Sequence, residues 1–330
     1  MREFLYVDTD KVRAMLAQLD GGVAEEARET SSSQKKNTVG PRSMAQHLQL
    51  TGSERYTQKS LGDAIFPTLE DALESEGLLR DISEEAKNLS EWTSGNLREI
   101  APPGSLVRVT ANGSLFDSRY SASVFAAFSS VVIGLEGLGV DLSSGQKTTP
   151  GKGKPGQQKS RSTNHGLSGE NRQLEDTIPD FVGSGTNGQT LRAIIRIARG
   201  VFTPGLNINL SPVDSGEVMI GSRLQEGRQY LDSEPDILFA RYGTEAQEWT
   251  VVGSVGSYGS EDTDMPDLEF VHADGSVNRG AFADGINALM KHLGGIGFVD
   301  LPQHPGFSLI PFAVYRTIPR NSKMPALWDR

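Results

Sequence analysis

The first residues constrain the fold more than any other stretch of this chain. Phe4, Leu5, Tyr6 and Val7 form a short apolar run of residues that favour β-structure, and the run is too short for a helix. A strand that begins this early needs a pairing partner, and we expect that partner to come from later in the chain. The sequence therefore predicts that the N-terminal segment is built into a sheet.

A helix is predicted directly after this strand. Asp8 or Thr9 can cap it, since either side-chain oxygen can accept a hydrogen bond from a free N–H group of the first turn. Apolar residues then recur at i, i+3, i+4 and i+7, which is typical of a helix with one face toward a core. These residues are Val12, Met15, Leu16 and Leu19. Gly21 and Gly22 favour a helix end, because glycine adopts the left-handed conformation at little cost.

This strand and helix resemble the opening of an uncharacterised bacterial family of unknown function. Members of that family begin with a Phe-Leu-Tyr-Leu-Asp-like strand, followed by a helix that contains Leu-Ala-Gln. This chain has Val7 at the position of the second leucine. The resemblance extends to residues 104–117 and 249–253, and covers about a quarter to a third of the chain. It implies no activity, cofactor or catalytic residue.

Composition limits the chemistry that this chain can carry out. At 330 residues, one large or two ordinary domains are expected. The chain contains no cysteine, which excludes disulfides, thiolate catalysis and cysteine-ligated metal sites. No basic segment followed by an apolar one marks a secretory signal. The most membrane-like run, residues 121–140, carries Glu136 and many small residues, so we expect a cytoplasmic protein without a membrane span.

Charge argues against nucleic acid as a partner. The formal net charge is −10, whereas phosphate binding requires clustered lysine and arginine. Residues 61–92 have a helix–turn–helix-like spacing, but the face of the first helix predicted to be exposed is acidic. That face carries Asp63, Glu70, Asp71 and Glu74. Nucleic-acid binding is therefore not expected.

Composition shifts predict two α+β regions joined by a linker. Residues 1–142 form the first region, with a polar, mobile insertion at residues 24–60. Residues 143–176 are rich in Gly, Ser and Lys and predict a disordered linker. Residues 177–330 form the second region. The predicted fold class is α+β, with one or more mixed or antiparallel sheets and flanking helices.

Periodicity and turn signals predict the other elements. Two apolar repeats predict helices; they are Leu61, Ile65, Leu69 and Leu73 in the first and Val124, Phe128, Val131 and Leu135 in the second. Asn112 and Gly113 predict a tight hairpin between strands at 106–109 and 114–116. Further helices are expected at 190–198 and 281–293, and strands near 217–220, 237–240, 249–255, 297–300 and 312–318.

A glycine-rich loop is the sharpest candidate binding site. Gly183, Gly185 and Gly188 satisfy the G-x-G-x-x-G spacing, and Thr190 follows at the start of a predicted helix. Free N–H groups in such a loop can hold the phosphates of a nucleotide. However, Gln189 stands where a phosphate-binding lysine is expected, and residues 191–210 contain no acidic partner for a ribose. The alternative is the end of a flexible linker followed by a capped helix.

No arrangement of residues in the sequence defines a catalytic or metal site. His47 and His165 lie in polar segments, and no H-E-x-x-H pair occurs. His292 and His304, with Asp300 between them, are candidates for an acid–base or metal role, or for a structural pair. The acidic residues 261–267 lack the spacing of a calcium loop, and no nucleophile elbow is present. No cofactor is expected.

These observations predict a non-catalytic, cytoplasmic bacterial protein with a regulatory or interaction role and a protein partner. An alternative is a nucleotide or small-ligand sensor that uses residues 183–190. A second alternative is a hydrolase or transferase without a recognisable motif. The oligomeric state is left open by the sequence.

Overall fold

The computed structural model describes residues 1–19, 54–138, 178, 182–183, 186–261, 264–265, 270–272 and 274–319. The linker predicted at residues 143–176 lies outside this part of the chain, as does the predicted insertion before residue 54. Residues 54–60 were assigned to that insertion but are helical. They include Glu, Arg, Gln and Lys, which favour helices, so the helix starts seven residues before its first leucine.

Helices and strands are interspersed along the described part of the chain. The helices are α1 (Thr9–Leu19), α2 (Glu54–Ser75), α3 (Ser83–Ala86), α4 (Leu89–Thr93), α5 (Asn96–Ile100), α6 (Ser118–Gly137), α7 (Gly188–Val201), α8 (Pro235–Tyr242) and α9 (Arg279–Gly295). The strands are β1 (Arg2–Val7), β2 (Leu79–Asp81), β3 (Leu106–Phe116), β4 (Val182–Gly183), β5 (Thr186–Asn187), β6 (Asn207–Ser211), β7 (Ile220–Arg223), β8 (Gln247–Tyr258) and β9 (Phe307–Thr317).

The N-terminal strand pairs with a strand from the far end of the chain. β1 runs antiparallel to β9, with Arg2 opposite Thr317 and Val7 opposite Ala313. The prediction that the N-terminal segment belongs to a sheet is confirmed. Because the two strands are about 300 residues apart in sequence, their pairing closes the longest loop in the fold, which is entropically costly.

Seven described strands form one mixed sheet. β3 pairs with β6 and β8, β9 pairs with β7 and β8, and β6 pairs with β7, so that five strands close into a ring. β1 and β2 add to this ring at β9 and β3. The β2–β3 and β7–β9 pairs are parallel and the other pairs of this sheet are antiparallel. The α+β class with a mixed sheet is confirmed.

The compact units do not follow the two predicted halves of the sequence. One unit comprises Met1–Phe116 and Gly205–Arg330, and the other is Asp117–Pro204. The reason lies in the sheet: β3 and β6 flank the second unit in sequence, yet Phe116 is paired with Asn207. The second unit is therefore an insertion between two paired strands.

Helices α1 and α2 share a core with the sheet. Asp8 caps α1, since its Oδ1 accepts a hydrogen bond from the Lys11 N–H at 3.0 Å. Val12 is fully buried, and the predicted apolar stripe packs into the same cluster as residues of α2, β8 and β9. The buried members are Val7, Val12, Phe66, Leu69, Leu73, Val252, Phe312, Ala313 and Tyr315. Burying each large apolar side chain contributes about 1.5–3 kcal/mol.

Asn112 and Gly113 do not form the predicted hairpin turn. β3 continues through both residues, and Gly113 lies opposite Leu210 of β6 and Gln247 of β8. A Cβ atom at Gly113 would lie 2.6 Å from Leu210 Cδ2 and 2.9 Å from the Asn209 carbonyl oxygen. Here the glycine allows close approach of a neighbouring strand. A turn and a close approach both select glycine, so the dipeptide alone does not distinguish them.

Two other predicted strands are wrong. Residues 237–240 belong to α8, which has Pro235 in its first turn and ends at Gly243, whose φ is 70°. Residues 297–300 form turns after α9. The strand expected at 217–220 begins only at Ile220. The helices at 190–198 and 281–293 and the strands near 249–255 and 312–318 are confirmed.

Glu70 is buried, although the sequence predicted it on an exposed helix face. Its side chain is 1% exposed and forms ion pairs with Arg2 and Arg108, the latter at 2.5 Å. The Tyr315 hydroxyl donates a hydrogen bond to Glu70 Oε1 at 3.0 Å. Because these partners lie far away in sequence, helix periodicity could not reveal that the carboxylate is paired and buried.

Five described tyrosines of the first unit have raised pKa values, Tyr6 and Tyr230 among them. Burial raises the pKa of Tyr242, Tyr258 and Tyr315 from 10.0 to about 12. The nearby Glu3 and Glu70 carboxylates add to the effect at Tyr242 and Tyr315 respectively. Tyr258 donates a hydrogen bond to the Ala101 carbonyl oxygen at 2.8 Å, which also requires its neutral form.

We expect the folded protein to lose stability as the pH rises from about 10 to about 12. The unfolded chain releases these protons near pH 10 and the folded chain near pH 12, so the stabilisation is complete below pH 10 and falls above it. The midpoint of urea unfolding should therefore be lower at pH 11 than at pH 9. Ultraviolet titration of the folded protein, with all tyrosines ionising near pH 10, would contradict this expectation.

Candidate interaction surface on helix α6

Helix α6 lies at the start of the inserted unit, and a side chain caps its N-terminus. The Asp117 side chain is 2% exposed, and its Oδ1 accepts a hydrogen bond from the Arg119 N–H at 2.8 Å. A carboxylate at this position pairs with free N–H groups and with the positive end of the helix dipole. The helix therefore starts at a fixed point, directly after β3.

One face of α6 packs within the inserted unit. Ala122 and Val132 are buried together with Leu191 and Ile195 of α7 and with Ile178. Phe125 and Ala126 are partly buried against this cluster. α7 is also capped, since Asn187 Oδ1 accepts a hydrogen bond from the Thr190 N–H at 2.8 Å.

A second face of α6 presents an apolar row to solvent. Val124 is 42% exposed, Phe128 36% and Val131 56%, Leu135 is partly exposed, and Leu138, directly after the end of the helix, is 82% exposed. Their spacing of four and three residues places them along one line of the helix surface. We call these five residues the α6 row. A contiguous exposed apolar surface is typical of a binding site, whereas single exposed apolar residues are ordinary.

The sequence pattern predicted that Val124, Phe128, Val131 and Leu135 mark an apolar helix, without assigning their face to the core or to the surface. Helical spacing shows which residues share a face, and it does not show which face is covered. The buried face is lined mainly by smaller residues, Ala122, Ala126 and Ser129 among them. Small residues on one face and large apolar residues on the other were the available signal that α6 has two apolar sides.

By length and composition, α6 could also cross a membrane. Within the described residues it is the one helix that meets this test, over Ser118–Leu135, and 22% of that window is buried. A helix of this length and mean apolar content occurs both as the core helix of a globular protein and as a membrane span.

The glycine loop at residues 183–190 leads into α7 through a short hairpin. Gly183 lies in β4 and pairs with Thr186 of β5. Gly188 is the first residue of α7, Thr190 lies in its first turn, and Gly185 lies outside the described residues. Because Asn187 already accepts the Thr190 N–H, this N–H is not available to a phosphate.

A shallow cleft of about 310 Å³ lies in the first unit. Trp92, Arg98, Tyr258, Ser260 and the cis-linked His304 and Pro305 are among its lining residues. The Arg98 guanidinium lies over the Tyr258 ring, 5.4 Å from its centroid. The walls thus combine aromatic rings with one cation, which suits a small ligand better than a macromolecule.

The same cleft contains the residue types of a hydrolase but not their usual arrangement. Ser260, Glu261 and His304 all line it, and Glu261 Oε1 lies 3.4 Å from His304 Nε2. The Glu261 side chain is 77% exposed, whereas the acid of a catalytic triad is buried and holds its histidine in one orientation. Within the described residues, no group of three or more His, Asp or Glu could hold a metal ion.

Helix α9 carries a second exposed apolar row in the first unit. Phe282, Ile286 and Met290 are each between 40% and 44% exposed. Gly294 is the one buried residue among the seventeen of this helix. α9 thus adds apolar surface, but it is not stabilised by extensive burial.

The comparisons with known proteins place the chain in a family. A family model described as "Domain of unknown function (DUF6414)" matches residues 1–315. The chain belongs to this family. The resemblance to an uncharacterised family is therefore confirmed, and the match extends over both compact units. No curated protein and no solved structure matches the chain.

Proposed function

We propose that this protein is a non-catalytic regulatory or interaction component of the cytoplasm that contacts a protein partner through the α6 row. The observation that carries the proposal is the exposure of Val124, Phe128 and Val131 along one line of a capped helix, with Leu138 exposed directly after its end. Leaving such a row in water is unfavourable, at about 25 cal/mol per Å² of apolar surface. Covering it with a partner recovers this free energy.

Chain connectivity favours a protein partner over a membrane span. Phe116 and Asn207 are paired in the sheet. The chain therefore leaves the sheet for the inserted unit and returns from it at neighbouring positions. A crossing by α6 would require a second crossing before residue 207. α7 is fourteen residues long and carries Arg192, Arg196 and Arg199, and residues 139–187 contain no apolar run of bilayer length. The sequence between α6 and β6 therefore provides no second membrane-spanning segment.

The arrangement of the cleft supports a non-catalytic role. Glu261 is solvated and makes one contact of 3.4 Å with His304, so the imidazole is not held as a general base requires. The geometry of Glu261 and His304 in this cleft does not support the hydrolase or transferase alternative. The sensor alternative at residues 183–190 remains a prediction, with the Thr190 N–H already bonded to Asn187.

We expect Val131→Asp to dissociate the protein from its complex. The wild-type chain in an extract of its source cells should sediment well above the 35.6 kDa of one chain, and the variant should sediment as a monomer. A charge in the centre of an apolar contact is costly to desolvate, which should weaken binding at least about tenfold. Analytical ultracentrifugation of the tagged protein at native expression measures this difference.

Ser123→Asp is the matched control, because Ser123 is exposed on the same helix but lies outside the α6 row. It should leave sedimentation unchanged. Val131 is 56% exposed, so both variants should keep the wild-type circular dichroism and unfolding midpoint. A wild-type protein that is monomeric in the extract would overturn the proposed function.

A further inference from the structure

Two aromatic walls of the cleft in the first unit share one support. The Trp92 ring is stacked on the Phe307 ring with 5.5 Å between their centroids, and the Tyr258 ring lies tilted against the same Phe307 ring at 5.1 Å. Phe307 is fully buried at the start of β9, so this support belongs to the close-packed core of the sheet. The cleft is therefore formed before a ligand enters, and binding does not have to order these walls.

The polar atoms of both aromatic side chains are already bonded to the backbone. The Trp92 Nε1–H donates a hydrogen bond to the Ala86 carbonyl oxygen at 2.8 Å, and the Tyr258 hydroxyl donates one to the Ala101 carbonyl oxygen at 2.8 Å. These bonds fix the two rings and leave their carbon atoms as the surface that they offer to the cleft. Such a surface suits a flat apolar group, because aromatic rings pack well against each other in offset or edge-to-face geometry.

Arg98 brings a positive charge to the cleft. Its guanidinium lies over the Tyr258 ring, and among the residues that the structure describes no carboxylate forms an ion pair with it. By contrast, Arg228 of the same unit pairs with Glu234 at 3.1 Å. A guanidinium can bind a planar carboxylate through two parallel hydrogen bonds. The cation of the cleft is therefore available to an anionic ligand.

Glu261 is the one acidic residue among the described residues that line the cleft. Its side chain is 77% exposed, and its carboxylate is 3.4 Å from the His304 imidazole. Water and salt screen an exposed charge, so its repulsion of an anion is weaker than a direct contact between that anion and Arg98. Glu261 thus reduces the attraction of an anion to the cleft without reversing it.

The volume of the cleft limits the size of its ligand. At about 310 Å³, it is at the lower end of the range of ligand pockets, which is about 300–1,000 Å³. This volume suits a compound with a single ring. We infer that the cleft binds a small aromatic carboxylate, whose ring packs against Trp92 and Tyr258 and whose carboxylate pairs with Arg98. This site is independent of the α6 row and lies apart in sequence from the glycine loop at residues 183–190.

Titration of the purified full-length protein with benzoate tests this inference, and benzamide is its uncharged match in shape. Two-dimensional NMR follows the indole N–H signals of the three tryptophans, and the Trp92→Phe variant identifies the signal of Trp92. Benzoate should shift this signal with a dissociation constant of about 1 mM or less. Benzamide should bind at least about tenfold more weakly, because it offers no charge to Arg98.

Variants that change the charge of the cleft have opposite expected effects. Arg98→Gln should weaken benzoate binding at least about tenfold, whereas Glu261→Gln should tighten it about twofold by removing a screened repulsion. Arg228→Gln is the control, since it removes the same charge as Arg98→Gln at a residue that does not line the cleft, and it should leave the affinity unchanged.

Three outcomes would overturn the inference. The first is a Trp92 signal that does not move at tens of millimolar benzoate. The second is equal affinity of the wild-type protein and Arg98→Gln for benzoate, which would show that the guanidinium does not hold the carboxylate. The third is equal affinity of the wild-type protein for benzoate and benzamide, which would rule out a carboxylate as the recognised group.

Discussion

Replacing Glu70 by glutamine is expected to destabilise the first unit by about 3 kcal/mol. The substitution keeps the size of the side chain but removes the charge that faces Arg2 and Arg108, and the Glu70 side chain is 1% exposed. Removing one partner of a buried ion pair leaves the other without its compensating charge, which typically costs 3–5 kcal/mol. The lower end applies because Arg108 also pairs with Glu74 and Asp81.

Urea unfolding followed by tryptophan fluorescence measures this loss, since Trp249 is 2% exposed in the same unit. Glu76→Gln is the control, because Glu76 is exposed immediately after the same helix. It removes the same charge and should change the free energy of unfolding by less than about 0.5 kcal/mol. Equal midpoints for the Glu70 variant and this control would contradict the assignment of a stabilising buried pair.

Replacing Gly253 by alanine is expected to cost about 3 kcal/mol or more, and to lower the thermal midpoint by about 10 °C. A Cβ atom at Gly253 would overlap the carbonyl oxygen of Ile310 and would lie 3.0 Å from Pro311 Cα. These are backbone atoms of β9, so no side-chain rotation can relieve the overlap. The pairing register of β8 and β9 shifts at this point, between Val252 and Gly253, so the glycine marks a bulge.

Gly221→Ala provides the matched control in the same sheet. Gly221 lies in β7, and an added Cβ would meet only Asn209 Oδ1, at 3.9 Å. This substitution should be neutral or slightly stabilising, because alanine has less conformational freedom in the unfolded chain. Differential scanning calorimetry of the two variants gives the comparison. If the Gly253→Ala and Gly221→Ala variants had the same thermal midpoint, the close approach of β8 and β9 at the bulge would be refuted.

Local patterns predicted the elements whose determinants are close together in sequence. The strand at Phe4–Val7, the capped helix with Val12 on its apolar face, and the helices around residues 190–198 and 281–293 all follow from short-range spacing. The same patterns gave wrong predictions where one sequence signal can have two physical causes. The Asn112–Gly113 pair suggested a turn, yet Gly113 allows close approach of β6.

The sequence predicted which residues of the candidate surface share a helix face, but it did not predict that this face is exposed. Spacing alone grouped Val124, Phe128, Val131 and Leu135 on one helix face, which is correct. Whether that face is inside or outside depends on what packs against the other side, namely α7 through Leu191 and Ile195. These residues lie more than fifty positions further along the chain, beyond the reach of any helical pattern.

The sequence by itself determined the class of the fold, the presence of a built-in N-terminal strand and the exclusion of thiol chemistry, because each rests on composition or on neighbours within a few residues. Tertiary structure alone decided that β3 and β6 pair around an inserted unit, that Glu70 is buried between two arginines, and that the α6 row faces solvent. These features arise from contacts between residues distant in sequence, where pairing and burial depend on the whole chain being folded.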